Sequence, residues 1–271
     1  MAPMITQITV IIKKAKIMVR DCAYKYFCGV SDNKIARKNH ALNDSRQPVI
    51  VCLGDSVTQG CFECYSQNGE LRTICEEREN YGEKLKRLLQ LCFPFAPVTV
   101  VNAGISGGRA KAGLKRLERD VLSYSPDLVV VCFGLNDATA GEEGLEEYIS
   151  SLRQIFEKIK KFEDTEIIFL TPNMRTDSVS PLLEDQIEIT AAKRVAENEE
   201  AGWLKEYIEE AKKLCCELNI PVCDCYHIYE QFKNSGVDIN ELLSNKINHP
   251  LRELHWIFAY ELIKIIFSNE L

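Results

Sequence analysis

The sequence predicts an α/β protein with a central parallel sheet between two layers of helices. From residue 48 onward, short runs rich in strand-forming residues alternate with stretches in which apolar residues have helical spacing. The run at 128–133 is apolar at every position, as in a strand that helices cover on both faces. Alternating strands and helices require parallel strands joined by right-handed crossovers. We therefore expect a three-layer α/β/α sandwich.

Five strands and five helices are expected in this region. The strands are predicted at 49–53, 98–102, 128–133, 166–170 and 221–225, each a short run rich in residues that favour strands. The helices are predicted near 82–93, 109–123, 143–162, 195–218 and 251–267. The pattern is clearest at 143–162, where one apolar stripe contains Leu145, Ile149, Leu152, Phe156 and Ile159.

Two segments interrupt the alternation. Residues 61–80 follow the first strand and residues 171–194 follow the fourth. In a parallel sheet both emerge at the carboxyl edge, where ligands bind, so they are candidates for a rim that shapes a substrate pocket. The alternative is that both are surface insertions without a role in binding.

The N-terminal part differs in character from the rest. Residues 1–47 are predicted to form a basic amphipathic helix, within 5–27, followed by a linker at 29–47. Residues 1–46 contain nine Lys and Arg against three Asp. We expect this helix to pack on its own domain or on a second subunit; peripheral contact with an anionic membrane is the alternative. Residues 48–271 are predicted to be one domain.

The composition of the chain argues against several classes of function. The chain has 271 residues, of which 46% are apolar and 27% are charged, and its net charge of −7 argues against nucleic acid as a main partner. It contains no apolar run of the roughly 20 residues that cross a membrane. The N-terminus lacks a secretory pattern, so we expect a cytoplasmic protein whose twelve cysteines are reduced.

No metal or organic cofactor is predicted. Cys61 and Cys64 have a spacing found in metal sites, and Cys223 and Cys225 form a second close pair. However, no further CxxC or suitably spaced pair of histidines completes a zinc site. The first strand is not followed by the glycine fingerprint of a dinucleotide-binding protein.

Ser56 is the strongest candidate for a reactive side chain. It lies in Gly-Asp-Ser-Val-Thr-Gln-Gly, residues 54–60, directly after the first apolar strand. A strand that ends in small residues presents the next side chain at the edge of the sheet, where a hydroxyl can meet a substrate. Two interpretations are open at this point: Ser56 is a nucleophile, or it is the N-cap of a helix.

A serine nucleophile needs a base, and the chain has four histidines. His40 lies in the linker, His227 follows the fifth strand, and His255 falls within the last helix. His249 precedes Pro250, a residue that suits the first turn of a helix, so His249 is predicted at the start of the last helix.

Acyl transfer also needs hydrogen-bond donors for an oxyanion. A glycine-containing turn at 102–108, Asn-Ala-Gly-Ile-Ser-Gly-Gly, follows the second strand, and Gly-Leu-Asn-Asp at 134–137 follows the third. Taken singly, either segment is equally typical of an ordinary turn.

Together, and in this order, these segments resemble the SGNH (GDSL-type) hydrolases over about residues 48–267. The resemblance implies a flavodoxin-like hydrolase fold and the activity of a carboxylic ester hydrolase that needs no cofactor. It implies that Ser56 is the nucleophile and His249 the base. It also implies that Ser56, Gly107 and Asn136 donate to the oxyanion. Small acyl esters are the implied substrates, with acetylated carbohydrate as one candidate.

One position departs from the family pattern. The resemblance places an Asp three residues before the catalytic histidine, where this chain has Lys246. Another acceptor must therefore orient the His249 ring. We expect a Ser–His dyad with a backbone carbonyl of residues 244–247 as that acceptor; Asp238 and Glu241 are the alternatives.

Two other functions stay open. Lipid esters are a second substrate class, to which the basic N-terminal helix gives some support. Because the Asp is missing, a ligand-binding protein with little catalysis on the same fold is the other alternative.

Overall fold

The computed structural model describes residues 34–43 and 46–267. The basic helix predicted within 5–27 lies outside the described residues. Among the residues that are described, no helix combines the length and the apolar character needed to cross a bilayer.

The centre of the molecule is a five-stranded parallel sheet. Its strands are β1 (Val49–Gly54), β4 (Thr99–Gly104), β5 (Leu128–Cys132), β6 (Glu166–Leu170) and β7 (Val222–Cys223). Their order across the sheet is β4-β1-β5-β6-β7. All four neighbouring pairs are parallel. The three-layer α/β architecture with a parallel sheet is thus confirmed.

Ten helices belong to the described part of the chain. They are α1 (Lys34–His40), α2 (Ser56–Gln59), α3 (Tyr81–Cys92), α4 (Ala110–Lys115), α5 (Leu117–Asp120), α6 (Leu145–Ile159), α7 (Gln186–Glu200), α8 (Trp203–Glu217), α9 (Cys225–Asn234) and α10 (His255–Ile266). Helix α3 packs on α10, while α6 packs on α4 and α8. These two groups cover the central strands, and every residue of β5 is buried.

Short 3-10 helices connect several of these elements. They lie at Glu77–Glu79, Leu122–Tyr124, Asp137–Gly144, Ile239–Leu242 and Arg252–Leu254.

Two predicted helices are each divided in the structure. The helix predicted at 109–123 forms α4 and α5, which meet at Arg116, where φ is −104°. The helix predicted at 195–218 ends and restarts at Gly202, whose φ of +78° is left-handed and cannot continue a helix. The first part, α7, also starts earlier than predicted, because the Asp185 carboxylate accepts from the backbone N–H groups of Ile187 and Glu188.

The last strand is shorter than predicted. It has only two residues, because the following Asp224 caps α9 by accepting from the N–H of His227. Cys225 therefore begins a helix instead of ending a strand.

The prediction that residues 29–47 form only a linker is wrong for the part that the structure describes. Helix α1 occupies Lys34–His40, and its Ile35 is buried in the core. Lys34 and Arg46 both form ion pairs with Asp127, at 3.0 and 2.7 Å. Apolar burial and these ion pairs together dock the segment on the domain.

The prediction that Pro250 lies in the first turn of the last helix is also wrong. Pro250 forms an isolated antiparallel bridge with Leu243 rather than the first turn of a helix. Helix α10 begins only at His255, after a 3-10 turn at Arg252–Leu254.

The insertion at 61–80 contains an antiparallel hairpin of β2 (Cys61–Gln67) and β3 (Glu70–Cys75). The hairpin begins directly after α2, at the carboxyl end of β1. Helix α7 contacts both strands of the hairpin. The hairpin therefore lies beside the edge of the sheet that carries Ser56.

Candidate active site

Ser56 is held at the carboxyl end of β1 by a tight strand-to-helix turn. A Cβ on Gly54 would lie 2.0 Å from Thr58 Oγ1, so no larger residue fits there. The N-cap of α2 is Asp55, whose carboxylate accepts from the Val57 N–H at 2.9 Å. The interpretation of Ser56 as an N-cap is therefore wrong, and its hydroxyl is available for another partner.

That partner is His249, from a loop near the other end of the chain. His249 Nε2 lies 3.0 Å from Ser56 Oγ, and both residues are buried. The loop is organised by Asn245, whose side-chain oxygen accepts the backbone N–H groups of Ile247, Asn248 and His249 at 2.9 to 3.0 Å. A single side chain thus sets the path of the loop that carries the imidazole.

The other ring nitrogen of His249 contacts the hairpin. Nδ1 lies 2.8 Å from the backbone carbonyl oxygen of Phe62. Because a carbonyl only accepts, Nδ1 must carry the proton, which leaves Nε2 as the acceptor for the Ser56 hydroxyl. This is the tautomer that a general base requires.

The acceptor for His249 Nδ1 is not one of those predicted from the sequence. The carbonyl belongs to Phe62, not to residues 244–247. Lys246 has a left-handed φ of +55° and donates to the Asn240 carbonyl and to Glu241. Asp238 instead accepts from the backbone N–H of Asn240. The prediction failed because the hairpin is far from this loop in sequence.

Arg252 joins the hairpin to the segment that follows His249. Its guanidinium donates to both oxygens of Glu63 at 2.5 and 2.7 Å, and to both oxygens of Glu76 at 3.0 and 2.6 Å. It also lies 4.4 Å from the centre of the Phe62 ring. The ring of His255 contacts the same phenyl ring edge-on at 5.2 Å. We call Arg252, Glu63 and Glu76 the clamp.

The environment of His249 favours a neutral imidazole. Burial lowers the pKa of His249, and the Phe62 carbonyl and the charge of Glu63 oppose that shift only in part. At neutral pH the ring is therefore able to accept a proton from Ser56.

The segments that carry the predicted oxyanion donors lie close to the Ser56 turn. Asn136 Nδ2 donates to the Gly108 carbonyl at 3.0 Å and lies 3.4 Å from an oxygen of Asp55. Gly107 has a left-handed φ of +72° in the turn after β4. A Cβ on Gly104 would lie 2.2 Å from the Gln59 nitrogen, so β4 lies too close to α2 for a side chain at this position. The turn at 104–108, Asn136 and the Ser56 turn thus form one cluster.

Two side chains that the sequence analysis missed support this cluster. Asp137 accepts from the N–H groups of Ala110 and Gly134, which fixes the turn carrying Asn136; burial raises its pKa to about 6. Arg116 donates to the carbonyl groups of Gly54 and Ala103 and so joins the ends of β1 and β4. The motif containing Asp137 was a signal for its role, whereas no local pattern marks Arg116.

The buried carboxyl of Asp55 is also shifted. Burial raises its pKa to about 7, and repulsion from Asp137 acts in the same direction. Its hydrogen bond to Val57 opposes the shift. Asp55 braces the turn.

The remaining histidines have other surroundings. His227 is exposed on α9, where it contacts Glu230 and Gln231. His40 is exposed on α1, and His255 is fully buried among aromatic rings. Within 34–43 and 46–267, no group of three His, Cys, Asp or Glu residues is arranged to hold a metal ion.

Residues 52–257 match the profile of the GDSL-like lipase/acylhydrolase family. The chain belongs to this family. The matched region includes Ser56, Gly107, Asn136 and His249.

The relatives include esterases of acetylated polysaccharides. An acetylxylan esterase of Geobacillus stearothermophilus is 33% identical over 136 residues, which are 45% of this chain and 58% of that protein. The match therefore spans less than two thirds of that relative.

Solved structures share the fold at lower identity. A lipase/acylhydrolase from Enterococcus faecalis has a TM-score of 0.59 at 23% identity, over 81% of this chain and 95% of its own. An acetyl xylan esterase has a TM-score of 0.60 at 19% identity, over 81% of this chain and all of its own.

Proposed function

We propose that this protein is a serine esterase that hydrolyses small acyl esters. The observation that carries this proposal is the continuous arrangement from Ser56 Oγ to His249 Nε2, at 3.0 Å, and from His249 Nδ1 to the Phe62 carbonyl, at 2.8 Å. Membership of the acylhydrolase family supports the same reaction class.

In the first half of the reaction, His249 Nε2 takes the proton of Ser56 as Oγ attacks the ester carbonyl. The Phe62 carbonyl holds the ring and stabilises the positive charge that develops on it. The resulting imidazolium then gives its proton to the alcohol that leaves, and an acyl group stays on Ser56. In the second half, His249 removes a proton from water as the water oxygen attacks the acyl group. The imidazolium then returns this proton to Ser56 Oγ as the bond between Oγ and the acyl group breaks, which releases the carboxylic acid.

The developing oxyanion is assigned to three donors. These are the backbone N–H groups of Ser56 and Gly107 and the side-chain amide of Asn136. The Asn136 amide has two N–H bonds, and Nδ2 lies 3.0 Å from the Gly108 carbonyl and 3.4 Å from Asp55. In the proposed reaction the bond to Gly108 is kept, and the second N–H turns from Asp55 to the oxyanion. Gly107 adopts a left-handed backbone that favours glycine, and the space around its Cα is open.

We infer that the substrate is an acetylated carbohydrate, in which the acyl group is small and the alcohol portion is the carbohydrate. Two relatives are named as esterases of acetylated xylan, and this is the support for the substrate class. The hairpin and the segment between β6 and α7 would form the rim on the alcohol side. The proposal needs no metal or organic cofactor, since the base and the oxyanion donors are all protein groups.

A substrate screen tests this function. Hydrolysis of p-nitrophenyl esters from acetate to palmitate should be fastest for acetate, and acetylated xylo-oligosaccharides should release acetate. A preference for palmitate would favour the lipid esterase instead. The matched control is Ser56→Ala, which should lack both activities.

Covalent labelling separates an enzyme from a binding protein. A fluorophosphonate should label the wild type, and Ser56→Ala should not be labelled. Absence of labelling in a folded wild type, together with no ester hydrolysis, would contradict the proposed function and favour a ligand-binding protein on this fold.

A further inference from the structure

The base of the hairpin contains a cysteine pair in a geometry that suits a disulfide. Cys61 begins β2 and Cys75 ends β3, and the two residues are partners across the antiparallel pair. Their sulfur atoms lie 2.6 Å apart, although both residues are free cysteines. A covalent S–S bond is about 2.0 Å long, so only a small movement separates this pair from a bond.

The register of the hairpin explains why these two residues meet. The Glu76 N–H donates to the Gly60 carbonyl at 2.8 Å, so a backbone hydrogen bond joins the residues that flank Cys61 and Cys75. The next pair, Cys61 and Cys75, is then of the non-hydrogen-bonded type, in which the Cα atoms approach to about 4.5 Å. That separation lies within the range that disulfides span.

Other cysteines in the described part of the chain are less well placed. Cys223 and Cys225 have sulfur atoms 4.0 Å apart, and both are buried. Cys64 contacts Thr73 and Asn245. In contrast, Cys75 is an exposed residue, which an oxidant in solution can approach, while Cys61 is buried beside it.

A disulfide between Cys61 and Cys75 would act on the contact between the hairpin and His249. Phe62, whose carbonyl faces His249 Nδ1, directly follows Cys61. The clamp holds the same part of the hairpin through Glu63 and Glu76. A covalent link between the two strands would fix the carbonyl independently of the clamp.

We propose that Cys61 and Cys75 are a redox-active pair whose disulfide closes the hairpin and holds the Phe62 carbonyl against His249; the second part of this proposal rests on the proposed esterase function. With glutathione disulfide as oxidant, the Cys75 thiolate attacks one sulfur and releases one glutathione thiolate. Cys61 then loses its proton and attacks Cys75 Sγ, which releases the second. Two protein thiols and one glutathione disulfide thus yield one protein disulfide and two glutathione thiols.

Peptide mapping tests the bond without reference to activity. The full chain is equilibrated with glutathione disulfide in excess, alkylated, and cut after Arg and Glu. Cleavage after Glu63 and Arg72 separates the peptides that carry Cys61, Cys64 and Cys75. We expect a linked peptide that contains Cys61 and Cys75 and is absent from Cys61→Ser and Cys75→Ser. Cys216→Ser, which removes an exposed cysteine on α8, is the matched control and should keep the link.

Two measurements test what the bond does. The oxidised chain should unfold at a temperature about 5 °C higher than the reduced chain. Its kcat/KM for p-nitrophenyl acetate should be about threefold higher, because a better-held acceptor keeps the imidazole aligned. Cys75→Ser should remove both differences.

The outcomes are distinguishable. A chain without the linked peptide, or with Cys75 linked to Cys64, would overturn the disulfide. A linked peptide with equal kcat/KM in both redox states would overturn the role in holding Phe62. If neither form hydrolyses any ester, the proposed function fails, while the mapping still decides whether the disulfide forms.

Discussion

The two halves of the candidate dyad are built in different ways. Ser56 is fixed by its immediate neighbours, because Gly54 permits the turn and Asp55 caps the helix that follows. The ring of His249 is instead held by groups 193 and 187 residues away, at Ser56 and Phe62. Short-range chemistry therefore sets the nucleophile, whereas tertiary structure sets the base. The nucleophile should tolerate changes in the hairpin, and the base should not.

The largest expected effect comes from removing either half of the dyad. Ser56→Ala and His249→Ala should each lower kcat by at least about a thousandfold, because proton transfer and covalent attack both depend on the pair. His227→Ala is the matched control, since that histidine is exposed and distant on α9. Steady-state kinetics with p-nitrophenyl acetate checks this. A large loss in His227→Ala with activity kept in His249→Ala would refute the assignment of the base.

A smaller effect should follow from loosening the clamp. Arg252→Met removes four hydrogen bonds and leaves the carboxylates of Glu63 and Glu76 without their shared partner. The Phe62 carbonyl then loses its fixed position, and kcat should fall about 10- to 100-fold with little change in KM. Arg252→Lys should recover only part of this loss, because an ammonium cannot bridge both carboxylates as a planar fork does.

The control for the clamp lies on the same hairpin. Arg72→Met removes an ion pair with Glu70 at the exposed end of β2 and β3, away from Phe62. It should leave kcat unchanged. A fluorophosphonate should still label Ser56 in both variants, but more slowly in Arg252→Met, because attack on the probe also uses His249 as base. Equal losses in Arg72→Met and Arg252→Met would mean that the hairpin acts through its general stability and not through the clamp.

The same contrast explains what could be predicted from the sequence. The strand before Ser56 and the turn after it are local patterns, so the fold class and the proposed nucleophile were accessible. The hydrogen-bond acceptor for His249 Nδ1 could not be predicted, because it is the backbone carbonyl of Phe62, which no residue type in the sequence marks. The hairpin was equally hidden, since residues 61–80 carry many Glu residues and no clear alternation. Helix α1 was missed because Ile35 is the one apolar residue that it buries.

The pH dependence of activity can sharpen the role of the clamp. Since burial lowers the pKa of His249, activity should persist to a pH below the usual range of a histidine before protonation removes the base. Glu63→Gln removes a negative charge that raises the pKa of His249. It also leaves the positive charge of Arg252 with less compensation. The acidic limb of kcat/KM should therefore move to still lower pH.

A pH profile of the variant against Glu70→Gln checks this. Glu70 is at the other end of the hairpin, so its variant should keep the wild-type limb. A limb that moves to higher pH in Glu63→Gln would indicate that solvent had entered the site and outweighed the lost charge.

The smallest effect is expected at the position where the family pattern has its carboxylate. In Lys246→Asp, the new carboxylate would meet a loop that the Asn245 side chain already organises, and Nδ1 of His249 would already be bonded to Phe62. Lys246 also has a left-handed backbone, which Asp tolerates, so the loop should keep its shape. We therefore expect kcat to change by less than about threefold. In the background of Arg252→Met the same substitution should raise kcat, because the hairpin carbonyl is then displaced and Nδ1 needs an acceptor. If Lys246→Asp instead raises kcat in the otherwise wild-type chain, the Phe62 carbonyl is a weak partner for Nδ1. Such a result would also show that the site has room for the carboxylate of the family pattern.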